Sequence, residues 1–204
     1  MEDVNLIREL FINRDDCYPL QKEGVNEYFV IKKPISDDLI KKHLEGRATI
    51  GSFQIDNKTN KVKWICFDFD GDLDTELEKA KRLYSKLKDK GFSPLIEFSG
   101  RRGYHIWLFL EETNAKDAKK FATDISKDAG VSDIYPKQEK IDLSGFGGQV
   151  KIPLGIHRAS GKRSYFLNDD FEEMKHDESI NLLREIFKSK RDKIKVVTLN
   201  DFLN

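Results

Sequence analysis

The sequence has little sulfur and no long apolar run. Its two cysteines, Cys17 and Cys66, lie too far apart for a zinc knuckle or a redox pair, so both are expected to be reduced thiols. No stretch approaches the roughly 18 apolar residues of a membrane span. The start, Met1-Glu2-Asp3, lacks the basic and apolar regions of a signal peptide, so a cytoplasmic location without a membrane partner is expected. Net charge is zero, which excludes any global electrostatic pull toward nucleic acid. There is no internal repeat or low-complexity tract. What remains is a chain of 204 residues with 38% hydrophobic residues, 14 of them Phe, and 35% charged residues. That suits one domain, or a core with a small appendage, with a very wet surface.

The charge is unevenly spread. Residues 64–78 hold six acids and no base, whereas residues 136–165 hold six bases against two acids. Such patches fit a metal site facing a phosphate-binding wall, and they also fit solvated faces of opposite sign.

The acidic patch begins in a strand. Trp64 to Asp70 is short, aromatic and bounded by Gly71. Alternation puts Asp68 and Asp70 on one face and Ile65, Phe67 and Phe69 on the other. Two neighbouring carboxylates repel unless a cation sits between them, and hard oxygen ligands suit Mg²⁺ or Mn²⁺. The pair also fits the acidic mouth of a turn, but Asp68 lies inside an apolar strand, where an unpaired charge costs several kcal/mol.

After this strand, Leu73, Leu77, Ala80, Tyr84 and Leu87 form a helical stripe, with Asp74 or Thr75 as cap (Thr75 with Glu78 as a capping box) and Gly91 as terminator. Pro94–Phe98 and Tyr104–Leu110 read as strands joined by the loop 99–103, and Ala115–Ala129 as a second helix. Val131–Tyr135 and Gln149–Leu154 are extended candidates, and Ser164–Leu167 is a last strand. The order β-α-β-β-α-β predicts an α+β fold with the RNA-recognition-motif-like split βαβ topology, first and third strands adjacent. His105 on the third strand then meets the carboxylates on the open sheet face. Before this core stand a helical start (Leu6, Ile7, Leu10, Phe11), a strand Glu27–Ile31, a helix over 36–45 and a strand near 49–55. After it come a helix over 177–190 and a tail of about a dozen residues. The expected division is 1–60 as an N-terminal α/β module packed against a metal-bearing core at 61–175, with 176–204 as helix and tail.

His105 follows Ser99-Gly100-Arg101-Arg102-Gly103-Tyr104. Glycines let backbone approach a phosphate and arginines pair with it, so His105 with Arg101 or Arg102 forms a candidate triphosphate site; a satisfied structural histidine is the alternative. Lys151, His157 and Arg158, on and after one strand, would suit a triphosphate or a nucleic-acid backbone. A third carboxylate would complete a two-metal site. Asp133 in the fourth strand is the best placed, because this topology puts strand four beside strand one; Asp142 competes but reads as loop.

With these residues in view, the chain resembles the archaeo-eukaryotic primase superfamily, in the branch of TOTE conflict systems and CRISPR-associated primase-polymerases. The D-x-D/E, small-x-His and hydrophobic-acid motifs of that superfamily correspond to Asp68-Phe69-Asp70, Gly103-Tyr104-His105 and Ser132-Asp133. Branch elements are mirrored by Arg14-Asp15-Asp16-Cys17-Tyr18, by Tyr135-Pro136-Lys137-Gln138, and by Gly145-Phe146-Gly147 with Pro153-Leu154, spanning about residues 10–170. Gly103 stands where Ser is usual, Ser132 where a hydrophobic is usual, and Asp133 where the branch often has Glu. There is no cysteine cluster for the zinc module of many relatives, which fits a catalytic fragment of a larger protein.

The resemblance implies a template-directed nucleotidyltransferase that makes or extends primers. It implies two Mg²⁺ or Mn²⁺ ions on Asp68, Asp70 and Asp133, with catalysis by these and His105. Nucleotide contacts would come from Ser99, Arg101, Arg102, Gly103, His105, Lys151, His157 and Arg158. Arg14, Tyr18, Lys137 and Gln138 would contact nucleic acid. Partners would be nucleoside triphosphates, a DNA template and primer (or RNA), and other domains of a larger protein or a conflict-system complex. Asp68-Phe69-Asp70-Gly71 also imitates haloacid-dehalogenase-like phosphohydrolases, with Asp68 as nucleophile. A non-catalytic nucleic-acid-binding module is a third alternative, disfavoured because its sheet would display aromatics.

Overall fold

The computed structural model describes residues 2–191; the expected tail lies outside them. The N-terminal part runs α1 (Glu2–Phe11), β1 (Tyr18–Gln21), β2 (Tyr28–Ile31), α2 (Asp37–Leu44) and β3 (Gly51–Phe53). The central part runs β4 (Lys61–Asp70), α3 (Leu73–Asp89), β5 (Leu95–Phe98), β6 (Gly103–Asn114), α4 (Ala115–Ser126) and β7 (Asp133–Tyr135). Then follow β8 (Gln149–Lys151), β9 (Tyr165–Leu167) and α5 (His176–Arg191).

The expected βαββαβ core is present. One five-stranded sheet has the order β7-β4-β6-β5-β9, with every neighbouring pair antiparallel. The first and third core strands, β4 and β6, are adjacent, and the fourth, β7, flanks β4. An all-antiparallel sheet has no place for the parallel Rossmann-like sheet that the phosphohydrolase alternative requires, and that alternative is set aside.

Alternation along β4 builds two cores. Ile65, Phe67 and Phe69 are fully buried against α3 and α4, with Ala80, Leu83, Leu87, Phe121 and Ala122. Each such large apolar side chain contributes about 1.5–3 kcal/mol on burial, so this face of the sheet is firmly specified. Trp64 and Cys66 face the other way and pack with Trp107, Leu10, Phe11, Ile40 and Leu183. The Trp64 indole donates to the Phe11 carbonyl at 2.9 Å, which pins α1 to the sheet. The second face is therefore only half open. The N-terminal module covers its Trp64–Cys66 end and leaves the Asp68–Asp70 end accessible.

Several local expectations change. Asp72, not Asp74 or Thr75, caps α3: it is extended, and its carboxylate accepts from the Thr75 backbone N–H at 3.1 Å and hydroxyl at 2.8 Å. Thr75 is already helical, so no capping box forms with Glu78. The expected strand 149–154 shortens to β8, which pairs with β3 and not with the central sheet. β1, which no periodicity announced, pairs with β2 as a hairpin.

His43 locks α2 to the β3–β8 ladder. The ring is fully buried, with Nε2 donating to the carbonyls of Ile152 (3.0 Å) and Pro153 (3.1 Å) while Nδ1 accepts from the Ile50 N–H (3.2 Å). A Cβ at position 155 would strike this ring, so the chain needs Gly155 there. Burial, then the Lys151 charge, pushes the His43 pKa down to about 3. The unfolded chain takes up a proton near pH 6.5 and the folded chain does not, so His43 favours folding above that pH and loses its contribution on acidification. The expected loss is roughly 1.4 kcal/mol per pH unit below about 6. His43→Gln should be less stable than wild type at pH 7 yet lose less between pH 7 and pH 4 in urea unfolding. An equal or steeper loss in the variant would contradict this account.

Candidate active site

Strand register creates the site. Asp68 pairs with Asp133 of β7 on one side and with His105 of β6 on the other, and His105 pairs in turn with Glu97 of β5. Directly opposed residues share a face, so Asp133, Asp68, His105 and Glu97 form one polar row across four strands. The next outward position of β4 is Asp70, opposite Gly103. A cleft of about 290 Å³ opens over this row, lined by Asp68, Asp70, Arg101, His105, Lys151 and His157 among others. Larger recesses, about 630 Å³ along the basic face of α3 and about 510 Å³ between α3 and α5, collect no comparable chemistry.

Asp68 is the most enclosed of the three aspartates, with 23% of its side chain exposed. Burial raises its pKa; His105 opposes the shift, and the charges of Asp70 and Asp133 add to it. The other two carboxylates are held by cations: Arg102 donates to Asp70 at 2.7 Å, and Lys137 lies 2.9 Å from Asp133. Ser132 extends the β7–β4 pairing. Its N–H donates to the Asp68 carbonyl at 2.8 Å, and its hydroxyl accepts from the Asp70 N–H at 3.0 Å. A hydroxyl at position 132 thus steadies the end of the aspartate strand, a task no hydrophobic side chain performs.

His105 is buried between two carboxylates. Nδ1 lies 3.0 Å from Glu97 Oε2, and Nε2 lies 3.6 Å from Asp68 Oδ1. Burial alone would lower its pKa, but the hydrogen bond and charge of Glu97, with Asp68, outweigh burial and raise it. The turn before it is tight: the Ser99 N–H donates to the Gly103 carbonyl at 3.0 Å, and Gly100 has φ +92°. A Cβ at position 103 would collide with the Phe69 carbonyl, so glycine is required there by close approach of β4. Arg101 lines the cleft and has no ion pair among the described residues.

The basic residues expected on the phosphate wall divide. Lys151 reaches the cleft lining but is 5% exposed, and its ammonium bonds to the Ser164 hydroxyl (2.7 Å), the Ile152 carbonyl (3.1 Å) and Glu97 (3.4 Å). His157 lines the cleft against the amides of Gln21 and Asn26. Burial, then the Lys151 and Arg101 charges, lowers its pKa to about 4, so it stands neutral at pH 7. Arg158 lies outside the cleft lining and binds the Thr49 hydroxyl (2.9 Å), the Gly46 carbonyl (2.8 Å) and Glu23 (3.3 Å).

Among the residues expected to contact nucleic acid, Arg14 is tied to Asp16 at 2.6 Å and to the Gly145 carbonyl, with its guanidinium 5.5 Å from the Phe146 ring centre. Tyr18 packs half-buried against the apolar core, and Gln138 accepts from the Gly148 N–H at 3.0 Å. Lys137 stands beside Asp133, after a cis Tyr135-Pro136 peptide. Sequence reasoning missed Glu97, fully buried in a strand of four buried residues. The signal was present, since an acid inside Leu95-Ile96-Glu97-Phe98 is as anomalous as Asp68 in its own strand.

The raised pKa of Asp68 carries a stability consequence. Its ionised form is penalised in the fold, so the penalty is present at neutral pH and vanishes below the unfolded carboxylate range. Asp68→Asn is expected to raise the melting temperature at pH 7 and to leave it unchanged at pH 3. An equal loss at both pH values in scanning calorimetry would contradict this.

No curated protein matches the sequence. Among solved structures, the polymerase domain of Mycobacterium tuberculosis ligase D in complex with DNA shares 14% identity, with TM-score 0.56 over 90% of this chain and 87% of that one. The catalytic domain of primase RepB′ in complex with initiator DNA aligns at 7% identity and TM-score 0.44, over 95% of this chain and 98% of that one. The first likeness establishes a shared fold. The family model of the TOTE conflict system archaeo-eukaryotic primase domain matches residues 31–197. That match spans most of the sequence, including both aspartate positions on β4, the histidine of β6 and Asp133: the chain belongs to the archaeo-eukaryotic primase domain family of TOTE conflict systems.

Proposed function

We propose that this primase-family domain is a template-directed nucleotidyltransferase that makes or extends primers from nucleoside triphosphates. The observation that carries the proposal is the register row Asp133–Asp68–His105, with Asp70 one step outward and Arg101, which has no ion pair among the described residues, on the cleft wall. The donor set is hard oxygen, and Asp68 is enclosed beside the charges of Asp70 and Asp133 with only partial compensation from His105, so these residues fit a divalent cation such as Mg²⁺ or Mn²⁺. Among the described residues no three acidic, cysteine or histidine side chains yet converge on one point. Asp70 and Asp133 are turned to Arg102 and Lys137, and those two cations must yield for ligation.

Asp68, Asp70 and Asp133 would hold the ions, which when bound supply the positive charge that activates a primer 3′-hydroxyl and neutralises the triphosphate. In the reaction the primer 3′-hydroxyl gives up its proton to solvent, its oxygen bonds to the α-phosphorus, the bond from that phosphorus to the bridging oxygen of the β-phosphate breaks, and pyrophosphate leaves. His105 and Arg101 would bind the triphosphate oxygens, joined by Arg102 once it leaves Asp70. His157, being neutral, offers a hydrogen bond and not a charge. Lys151 and Arg158 are engaged within the protein and are left out of the phosphate site.

A labelled primer–template incubated with each nucleotide set and Mg²⁺ or Mn²⁺ tests the proposal. Wild type should extend the primer. Asp68→Asn and Asp70→Asn should lower extension by on the order of a thousandfold while remaining folded, and His105→Ala by about a hundredfold. Full extension by either aspartate variant would overturn the assignment, as would phosphate release through a covalent phospho-Asp68.

A further inference from the structure

The site contains a buried charge pair, Glu97 with Lys151, that the proposed chemistry does not use. Glu97 is completely inaccessible. Its Oε2 accepts from Trp107 Nε1 at 2.8 Å and from His105 Nδ1 at 3.0 Å, and its Oε1 lies 3.4 Å from Lys151 Nζ. Three strands thus converge on one carboxylate: β5 carries it, β6 supplies the histidine and tryptophan, and β8 the lysine, which Ser164, just before β9, steadies. An ionised carboxylate is an acceptor only, so His105 must carry its proton on Nδ1. Nε2 is then the ring nitrogen left facing Asp68 and the cleft.

We propose that Glu97 is the positioning residue of the site. It holds the His105 ring through Nδ1–H and fixes the ring plane so that the Nε2 edge faces the incoming triphosphate, to which Nε2 donates when it too carries a proton, and Lys151 serves as the counter-ion of Glu97 and not as a phosphate ligand. Three features favour this role over mere packing. A buried carboxylate is a costly way to fill space between Ile96 and Phe98, and isosteric apolar residues are usually neutral or better there. Trp107 donates to the same oxygen as His105, which fixes that oxygen from two sides. The pairing with Lys151 also keeps the orienting group electrically neutral as a unit. An uncompensated anion behind His105 would add to the charge of Asp68, Asp70 and Asp133.

The inference rests on the nucleotidyltransferase assignment only for its activity readout; the orientation of His105 is measurable without it. In long-range ¹H–¹⁵N spectra of the wild-type protein, His105 should show a protonated Nδ1 with a downfield, slowly exchanging proton. That signal should be lost or moved in Glu97→Gln. A wild-type His105 bearing no proton on Nδ1 would overturn the proposal even if every variant failed to fold and even if the protein extended no primer. On a primer–template with the four deoxynucleoside triphosphates and Mn²⁺, Glu97→Gln should lose roughly ten- to hundredfold in kcat/KM, the usual consequence of removing an orienting partner. The double variant Glu97→Gln/His105→Ala should be no worse than His105→Ala alone, because the glutamate acts through the ring. Multiplicative losses in the double variant would mean that Glu97 acts independently of His105, and the positioning role would fall. Lys151→Met combined with Glu97→Gln removes both charges and should restore the melting temperature lost in the single Glu97→Gln variant without restoring kcat/KM. Recovery of both would reduce Glu97 to a structural partner of Lys151.

Discussion

The site depends on one constraint, the register in which four strands pair. Asp133, Asp68, His105 and Glu97 come from segments far apart in sequence and meet only because β7, β4, β6 and β5 align them in one row. A slip of one residue would send the whole row to the face covered by α3 and α4. That slip is forbidden by packing on both sides. Ile65, Phe67 and Phe69 fill one core, and Trp64, Cys66 and Trp107 fill the other. The aspartates lie where the second core ends, so the same alternation that buries the aromatics delivers the carboxylates to the cleft.

Charge is distributed along this row in a graded way. At the solvent side, Asp70 and Asp133 are accessible and paired with the exposed Arg102 and Lys137, surface partners that the proposed cation would displace. In the middle, Asp68 is enclosed and lacks full compensation. At the buried end, Glu97 is fully compensated by Lys151, His105 and Trp107, and its pKa is held low although burial by itself would raise it. The exchangeable chemistry thus sits outside and the fixed chemistry inside. For the proposed nucleotidyltransferase, this arrangement would separate the groups that orient from the groups that exchange.

Much of this was legible in the sequence because it follows from periods of two and of about 3.6. The aspartate strand, the helix after it, the βαββαβ order and the adjacency of Asp68 and His105 all rest on local patterns and one topological rule. Asp133 was legible by the same rule, which sets strand four beside strand one. What the sequence leaves hidden has a common cause. Lys151 and Arg158 look like phosphate ligands in sequence, but their partners Glu97, Thr49 and Gly46 are distant in the chain, and only the fold shows the charges are spoken for. The segments of β2, β3 and β8 were expected to be extended, but their partners were hidden for a similar reason, and β1, of four residues, carries too little alternation to declare itself. Gly103 reads in sequence only as a glycine of the phosphate loop, and Gly155 has no reading there; their necessity comes from the Phe69 carbonyl and the His43 ring, neither of them a sequence neighbour.

The central claim is that the carboxylates of one strand-register row form a divalent-cation site serving a nucleoside triphosphate. It is tested most directly by diffraction from crystals grown with Mn²⁺ and a non-hydrolysable nucleoside triphosphate, with data collected at the manganese edge. The expected result is anomalous density among the carboxylates of Asp68, Asp70 and Asp133, with Arg102 and Lys137 swung away and the triphosphate beside His105 and Arg101. Anomalous density confined to other carboxylates, with Arg102 still on Asp70 and the cleft free of nucleotide, would contradict it.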